Sequence, residues 1–291
     1  MTAQAAPTLR DRIEDGAVRA VIGVAMLLPY AARVRSFGWM AQHVLSPLSG
    51  GRRRIRANLA HVFPDLPRAE VDRLCGAVAN NVGRAFIEML SGPELARHVA
   101  GTPLEGPGAA AMEAAHAAGK PVVLVSGHLG NYDAARAVML ARGLRLGGLY
   151  APMRNPLTNR RYVAAIERIG KPMFPRGREG MGAMLRFLRN GGILGMVIDQ
   201  YMAHGAMLDF LGKPAPTALS AAEIALKYDA VVVPGYAIRQ PDGLSFRIWF
   251  DAPVPHSDPV TMTQALNDSL AHHVRQNMDQ WFWIHRRWFK D

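Results

Sequence analysis

Residues 122–133, Val122-Val123-Leu124-Val125-Ser126-Gly127-His128-Leu129-Gly130-Asn131-Tyr132-Asp133, decide the fold. Gly119-Lys120-Pro121 turns the chain into four uninterrupted apolar residues, the pattern of a strand covered on both faces. Two glycines then allow a tight turn, and residues 131–141 continue as a helix. A strand that passes through a glycine turn into a helix opens an α/β layer fold. Ligands in such sheets sit beyond the carboxyl ends of the strands, which is where His128 falls.

The alternation repeats downstream. Residues 146–150, 171–174, 193–198, 231–237 and 244–250 predict strands. Residues 157–169, 180–189, 220–228 and 262–278 predict helices, the second of them stopped by Gly191-Gly192. Upstream, residues 52–63 and 68–90 predict helices separated by Pro64-Asp65-Leu66-Pro67. Gly92-Pro93 breaks the second helix, and residues 109–118 predict a third. The expected architecture is α/β, with a mostly parallel central sheet flanked by helices. No linker-like tract divides residues 49–291, which are expected to form one catalytic domain.

Residues 1–48 read differently. The thirteen residues 20–32, between Arg19 and Arg33, carry no charge. As a helix they would span roughly 20 Å against roughly 30 Å of hydrocarbon, and Pro29 interrupts them. Asp11, Glu14 and Asp15 precede them, unlike the flank of a signal peptide. A plain core helix and a membrane anchor remain open. Phe37, Trp39 and Met40 follow, then the basic run Arg52, Arg53, Arg54 and Arg56. An apolar anchor with a basic run fits two-signal attachment to an anionic leaflet, whether spanning or lying flat. An N-terminal membrane-associating helical segment is therefore expected.

Composition narrows the function. With 49% hydrophobic and 20% charged residues, the chain can build a sizeable core. Its net charge of +11 favours acidic partners such as anionic lipid, a phosphorylated substrate or an acidic carrier protein. Nucleic acid is not expected, because zinc-ligand spacing, ribonucleoprotein aromatics and a reading helix are all missing. Cys75 is the only cysteine, which excludes an internal disulfide and a Cys-rich metal site, and it reads as a buried small residue.

The chemistry converges on the turn after residues 122–125. His128 would stand in the loop and Asp133, five residues on, in the first helical turn. A carboxylate that holds one ring nitrogen leaves the other free to take a proton from a substrate hydroxyl. Charge developing on an acyl oxygen would need donors, such as the backbone N–H groups of Gly130 and Asn131 or an arginine. Arg154 and Asn155 follow the strand at 146–150 and suit a phosphate or oxyanion. Asp199 and Gln200 end the strand at 193–198 and are expected to orient substrate. A metal there is not expected, since no second carboxylate has ligand-like spacing. Residues 154–189 hold nine Lys/Arg against Glu167 and Glu179, a concentration that fits an acidic carrier or a bisphosphorylated sugar. His204, His272 and His273 read as loop or surface residues. Trp281, Phe282, Trp283, Trp288 and Phe289 around His285-Arg286-Arg287 suit either a membrane interface or a closing core.

Several pieces, in order along most of the chain, resemble the bacterial late acyltransferases of lipid A biosynthesis, the lauroyl/myristoyl type within the lysophospholipid acyltransferase-like superfamily. Arg52-Arg53-Arg54-Ile55-Arg56-Ala57-Asn58-Leu59 with Phe63-Pro64 is similar to the family's early basic helix, and residues 83–88 to its next helix. Residues 127–133 resemble its Gly-His-(Phe/Leu)-Gly-Asn-(Trp/Tyr)-Glu block. Arg154-Asn155-Pro156-Leu157, Asp199-Gln200, Phe210-Leu211-Gly212 with Thr217, and the closing Gln280-Trp281-Phe282-Trp283-Ile284-His285-Arg286-Arg287 match its later signatures. The family's block commonly ends in glutamate where this sequence has Asp133. The resemblance implies transfer of a fatty acyl group from an acyl-carrier-protein thioester, or from acyl-CoA, to a hydroxyl of a phosphorylated, acylated glucosamine disaccharide. It implies no cofactor, and attachment to the cytoplasmic face of the bacterial inner membrane. The same superfamily architecture also acylates mannosylated phosphatidylinositol and glycerophospholipids. A serine hydrolase is disfavoured, because no Gly-x-Ser-x-Gly nucleophile elbow occurs.

Overall fold

The computed structural model describes residues 7–288, without the side chains of residues 17 and 179; Phe289 lies outside the described residues. Helix α1 (Leu9–Met26) opens with a capping box in which Thr8 and Asp11 satisfy each other's backbone N–H groups. The chain then breaks, with Pro29 as the N-cap of α2 (Tyr30–Met40). The uncharged stretch expected as one segment is therefore divided between two helices. Among the described residues no helix is long and apolar enough to cross a membrane. Helix α2 passes through a π-helical turn, Ala41–Leu45, into the short α3 (Ser46–Leu48). Val34 and Phe37 of α2 pack with Ile87 of α5 (Arg68–Leu90). Arg33, also buried, donates to Ser91 Oγ at 2.8 Å and pairs with Glu94.

Helix α4 (Gly51–Val62) precedes α5, and α6 (Gly92–Val99) follows it. Gly92-Pro93 does break the chain, but Pro93 also fits the first turn of α6, where no backbone N–H is needed. Then come β1 (Leu104–Glu105), α7 (Pro107–Ala117), β2 (Val122–Ser126), α8 (Tyr132–Ala141), β3 (Leu146–Tyr150), α9 (Pro156–Ile169), β4 (Met173–Pro175), α10 (Arg178–Arg189) and β5 (Ile193–Val197). The order continues with β6 (Ala206–Phe210), β7 (Lys213–Thr217), α11 (Ser220–Tyr228), β8 (Val231–Arg239), β9 (Phe246–Phe250) and α12 (Pro259–Gln276).

Seven strands form one sheet in the order β1-β9-β8-β2-β5-β3-β4. Every neighbouring pair is parallel except β8 with β9. The architecture is thus the mixed α/β expected, with a mostly parallel sheet between helical layers. On one face Leu124, Ile193 and Val233 pack with α6, α7, α8 and α9. On the other, Val123, Val125 and Leu194 pack with α10, α11, α12 and the tryptophans 281, 283 and 288. A separate antiparallel ribbon, β6 with β7, was not expected. Pro214 and Pro216 disguise β7, and a two-stranded ribbon tolerates them because each strand has a free edge.

One buried ion pair ties α5 to β8. Both Arg239 Nη atoms donate to the Glu88 carboxylate, at 2.7 and 2.6 Å, and Glu88 is fully buried. Removing one partner strands an unpaired buried charge. Glu88→Ala is expected to lower unfolding stability by about 3–5 kcal/mol. Urea unfolding followed by fluorescence checks this, and an unchanged midpoint would contradict it.

Candidate functional site

The site forms where β2 ends. Gly130 lies in the left-handed region at φ +63°, and a Cβ there would collide with the Ala237 carbonyl oxygen. The loop can press against β8 only because the residue is glycine. It is bonded on both sides: Gly130 N–H donates to Gln280 O at 3.1 Å, Asn131 N–H to Ala237 O at 3.0 Å, and Phe282 N–H to His128 O at 2.9 Å. The backbone N–H groups of Gly130 and Asn131, expected as oxyanion donors, are therefore already spent. Asn131 caps α8, accepting from Asp133 N–H, while its Nδ2 donates to Glu88 at 2.7 Å.

His128 meets a carboxylate, but not that of Asp133. Ser126 of β2 pairs with Val197 of β5, so His128 and Asp199 each lie two residues beyond a matched pair. His128 Nδ1 sits 2.8 Å from Asp199 Oδ1, and His128 N–H donates to Oδ2 at 2.6 Å. Trp281 Nε1 donates to the same Oδ2 at 2.9 Å. A carboxylate only accepts, so Nδ1 carries a proton, and whenever the ring is neutral it is Nε2 that holds the lone pair. Burial alone would raise the Asp199 pKa; the charge and hydrogen bond of His128 outweigh it and hold the group well below the usual carboxylate range. Asp133 lies on the face of α8 that presents Arg136 one turn later, and it pairs with Arg136 Nη1 at 2.8 Å. Burial pushes the Asp133 carboxyl up, against the pull of Arg136.

His128 lines a cavity of about 530 Å³ that is mostly apolar. Residues from both sides of the sheet contribute, Leu124 and Ile166 from one and Leu149, Met184 and Ile224 from the other. Gln200 lines it, as does Arg176, counted in the sequence only as one cation of a basic stretch. Arg154 is exposed and is not among the lining residues. Asn155 is spent on structure: its Oδ1 accepts from Leu157 N–H and Thr158 N–H at the start of α9, and its Nδ2 donates to Asp11 O. A more open polar cleft of about 590 Å³ lies between α5 and the end of β8, beside Arg73, Arg84 and Gln280.

His285 is a neighbour that sequence reasoning left without a role. Its ring centroid lies 4.5 Å from that of His128, with the planes at 77°. Asn58 of the basic helix α4 holds this segment, donating to Trp283 O at 2.7 Å and His285 O at 2.8 Å. The aromatic C-terminal segment belongs to the core: Trp281 and Trp283 are fully buried, and Arg287 donates to Pro216 O and Thr217 Oγ1. His273, expected at a helix surface, is also buried and bonded to Asp251. Cys75 is buried as expected.

Comparison with known proteins fixes the class. The chain belongs to the bacterial lipid A biosynthesis acyltransferase family, which it matches over residues 11–290. It is 25% identical over 275 residues to phosphatidylinositol mannoside acyltransferase of Mycobacterium tuberculosis, covering 87% of each chain. It is 23% identical over 276 residues to a lipid A biosynthesis acyltransferase of Haemophilus influenzae, covering 90% of this chain and 85% of that one. The protein is an O-acyltransferase of a lipid-acylating family.

Burial, with a further push from the charge of His128, lowers the His285 pKa from 6.5 to about 4. The folded state then binds a proton less readily than the unfolded one. Stability should hold above pH 6.5 and fall by about 3 kcal/mol as pH drops from there to about 4. Removing the ring, in His285→Phe, should flatten that part of the stability profile. Urea midpoints across this range check it, and identical slopes in both proteins would refute it.

Proposed function

We propose that the protein moves a fatty acyl chain from a thioester to a hydroxyl of a phosphorylated glycolipid, a lipid A precursor, at a membrane surface. The observation that carries this reading is His128, oriented by a fully buried Asp199 at the wall of an apolar cavity. His128 Nε2 takes the proton of the acceptor hydroxyl as its oxygen attacks the thioester carbonyl carbon. The tetrahedral intermediate collapses, the C–S bond breaks, and His128 returns the proton to the leaving thiolate. The orienting carboxylate assigned here is Asp199 rather than Asp133, which serves with Arg136 to fix the first turn of α8. With the Gly130 and Asn131 N–H groups spent and Arg154 outside the cavity, Arg176 and Gln200 are the side chains offered to the acyl oxygen and its phosphorylated carrier. No cofactor enters the scheme. The donor is acyl carrier protein or acyl-CoA, and the basic stretch 154–189 suits an acidic carrier.

Membrane attachment is part of the same proposal. Leu9, Ile13, Val21 and Val24 of α1 share one face at helical spacing and are exposed, with Leu27 and Trp39 close behind. Arg19 and Arg35 flank them. Such a face lies in a headgroup layer without spanning it, here the anionic cytoplasmic leaflet of a bacterial inner membrane.

Purified enzyme, given acyl-carrier-protein and CoA thioesters with a lipid A precursor, a phosphatidylinositol mannoside and lysophospholipids, tests both chemistry and acceptor. His128→Ala and Asp199→Asn should each lower kcat by about 10²–10⁴ while remaining folded. Asp133→Asn should lose stability, yet keep kcat per folded molecule within about tenfold, a change of roughly 1.4 kcal/mol in the barrier. Turnover only with the mannoside would move the acceptor and keep the mechanism; a silent Asp199→Asn effect would sink the His–Asp assignment.

A further inference from the structure

The cavity beside His128 borders a glycine-rich part of the sheet. Register places Leu124 of β2, Gly195 of β5 and Gly148 of β3 side by side. Glycine inside a strand loses packing and costs about 0.5–1 kcal/mol relative to alanine, and it often marks where a ligand or another backbone comes close. Gly147, Gly148, Gly195 and Gly235 line the cavity, and their neighbours separate these cases: a Cβ on Gly147 would meet the Phe174 and Phe187 rings at 2.9 and 3.0 Å. A Cβ on Gly235 would meet the Phe250 ring at 2.6 Å, and one on Gly148 would meet Met173 Cε at 3.1 Å. Both positions are covered by protein. A Cβ on Gly195 would meet nothing closer than Gly147 O at 3.6 Å and Leu146 Cδ1 at 3.7 Å. Its backbone is not in the left-handed region, so nothing local demands glycine there. Ile193 and Leu194 on the same strand are sealed, whereas Gly195 is reached from the cavity.

We propose that Gly195 is the gauge that sets how long a fatty chain the cavity accepts. The proposal rests on the acyl-transfer reading above and adds which residue reads the chain. Gly195 is level with Leu124, two residues or about 7 Å below the end of β2. An acyl carbon held at His128 therefore sends only the distal part of its chain over Gly195. Short chains end before this floor, and long ones lie across it. A side chain placed at residue 195 would occupy the space of the distal methylenes without touching the reacting atoms. Each displaced methylene in an apolar pocket is worth about 10–200-fold in specificity.

The test compares kcat/KM for octanoyl, lauroyl, myristoyl and palmitoyl thioesters in the wild type, Gly195→Ala, Gly195→Val and Met173→Ala. Gly195→Val should cut the longest accepted chain at least about tenfold while leaving octanoyl transfer nearly unchanged. Gly195→Ala should fall between it and the wild type, and it guards against a valine variant that misfolds. Met173→Ala trims the side chain that covers Gly148 and should move the preference toward longer chains. Losses equal for every chain length in a folded variant, or no loss at all, would overturn the proposal. If the wild type transfers nothing, the acyl-transfer reading fails instead, and equilibrium dialysis of the same radiolabelled thioesters still decides. Chain-length-selective loss of binding in Gly195→Val supports the gauge, and unselective binding overturns it.

Discussion

The Asp199 carboxylate, fully buried, is the point from which the rest of the site is hung. An ionised carboxylate out of water is tolerable only with its oxygens satisfied, and here three donors satisfy them: His128 N–H, His128 Nδ1–H and Trp281 Nε1–H. Two of the three come from one residue, so the same contact satisfies the carboxylate oxygens, fixes the backbone of the loop and orients the imidazole. The third pins Trp281 from the far end of the chain. A group that would be costly alone becomes the fixture that orders the site, since any displacement of the loop would strip bonds from a charge that cannot be resolvated.

Around this fixture the protein spends its other buried polar groups on holding the loop rather than on the reacting atoms. Glu88 receives Arg239 and Asn131 together, linking α5, the end of β8 and the cap of α8. Asn58 reaches from the basic helix to the backbone of 283–285. Arg136 and Asp133 brace α8 against α9. Of the polar residues that the sequence groups into apparent motifs, His128, Asp133 and Gln200 reach the cavity wall, whereas Asp199 lies buried behind His128. At Gly195 the cavity is open to the strand backbone because no side chain covers it.

Much of the fold is legible in the sequence because its punctuation is strong. The helix at 68–90, the strand at 146–150 and the helix at 220–228 match α5, β3 and α11 residue for residue, each flanked by proline, glycine or a change of period. The β6–β7 ribbon is not legible, since prolines at alternate positions read as coil. Nor is the burial of the closing tryptophans, which composition alone leaves equally suited to a lipid interface. In the site, His128 and the end-of-strand position of Asp199 are both visible. Their contact is not, because it spans 71 residues and depends on β2 and β5 being sheet neighbours. Local spacing instead points to Asp133, five residues away, whose charge is claimed by Arg136. Proximity in sequence was the wrong guide where sheet order set proximity in space.

The bracing of residues 128–131 by residues 280–282 has a consequence for how the molecule comes into being. The bonds that organise the loop close over 71 residues to Asp199 and then over a further 82 to Trp281. Closing long loops is entropically slow and is rewarded only after both ends are in place. During synthesis strands β2, β3, β4 and β5, which are sheet neighbours of one another, can begin to gather on their own, yet the loop bearing His128 keeps one side unclasped until the segment around Trp281 has emerged. The histidine is therefore expected to reach its final setting as one of the last events of folding, so that a nascent chain carries the strands beneath the cavity before it carries an ordered His128.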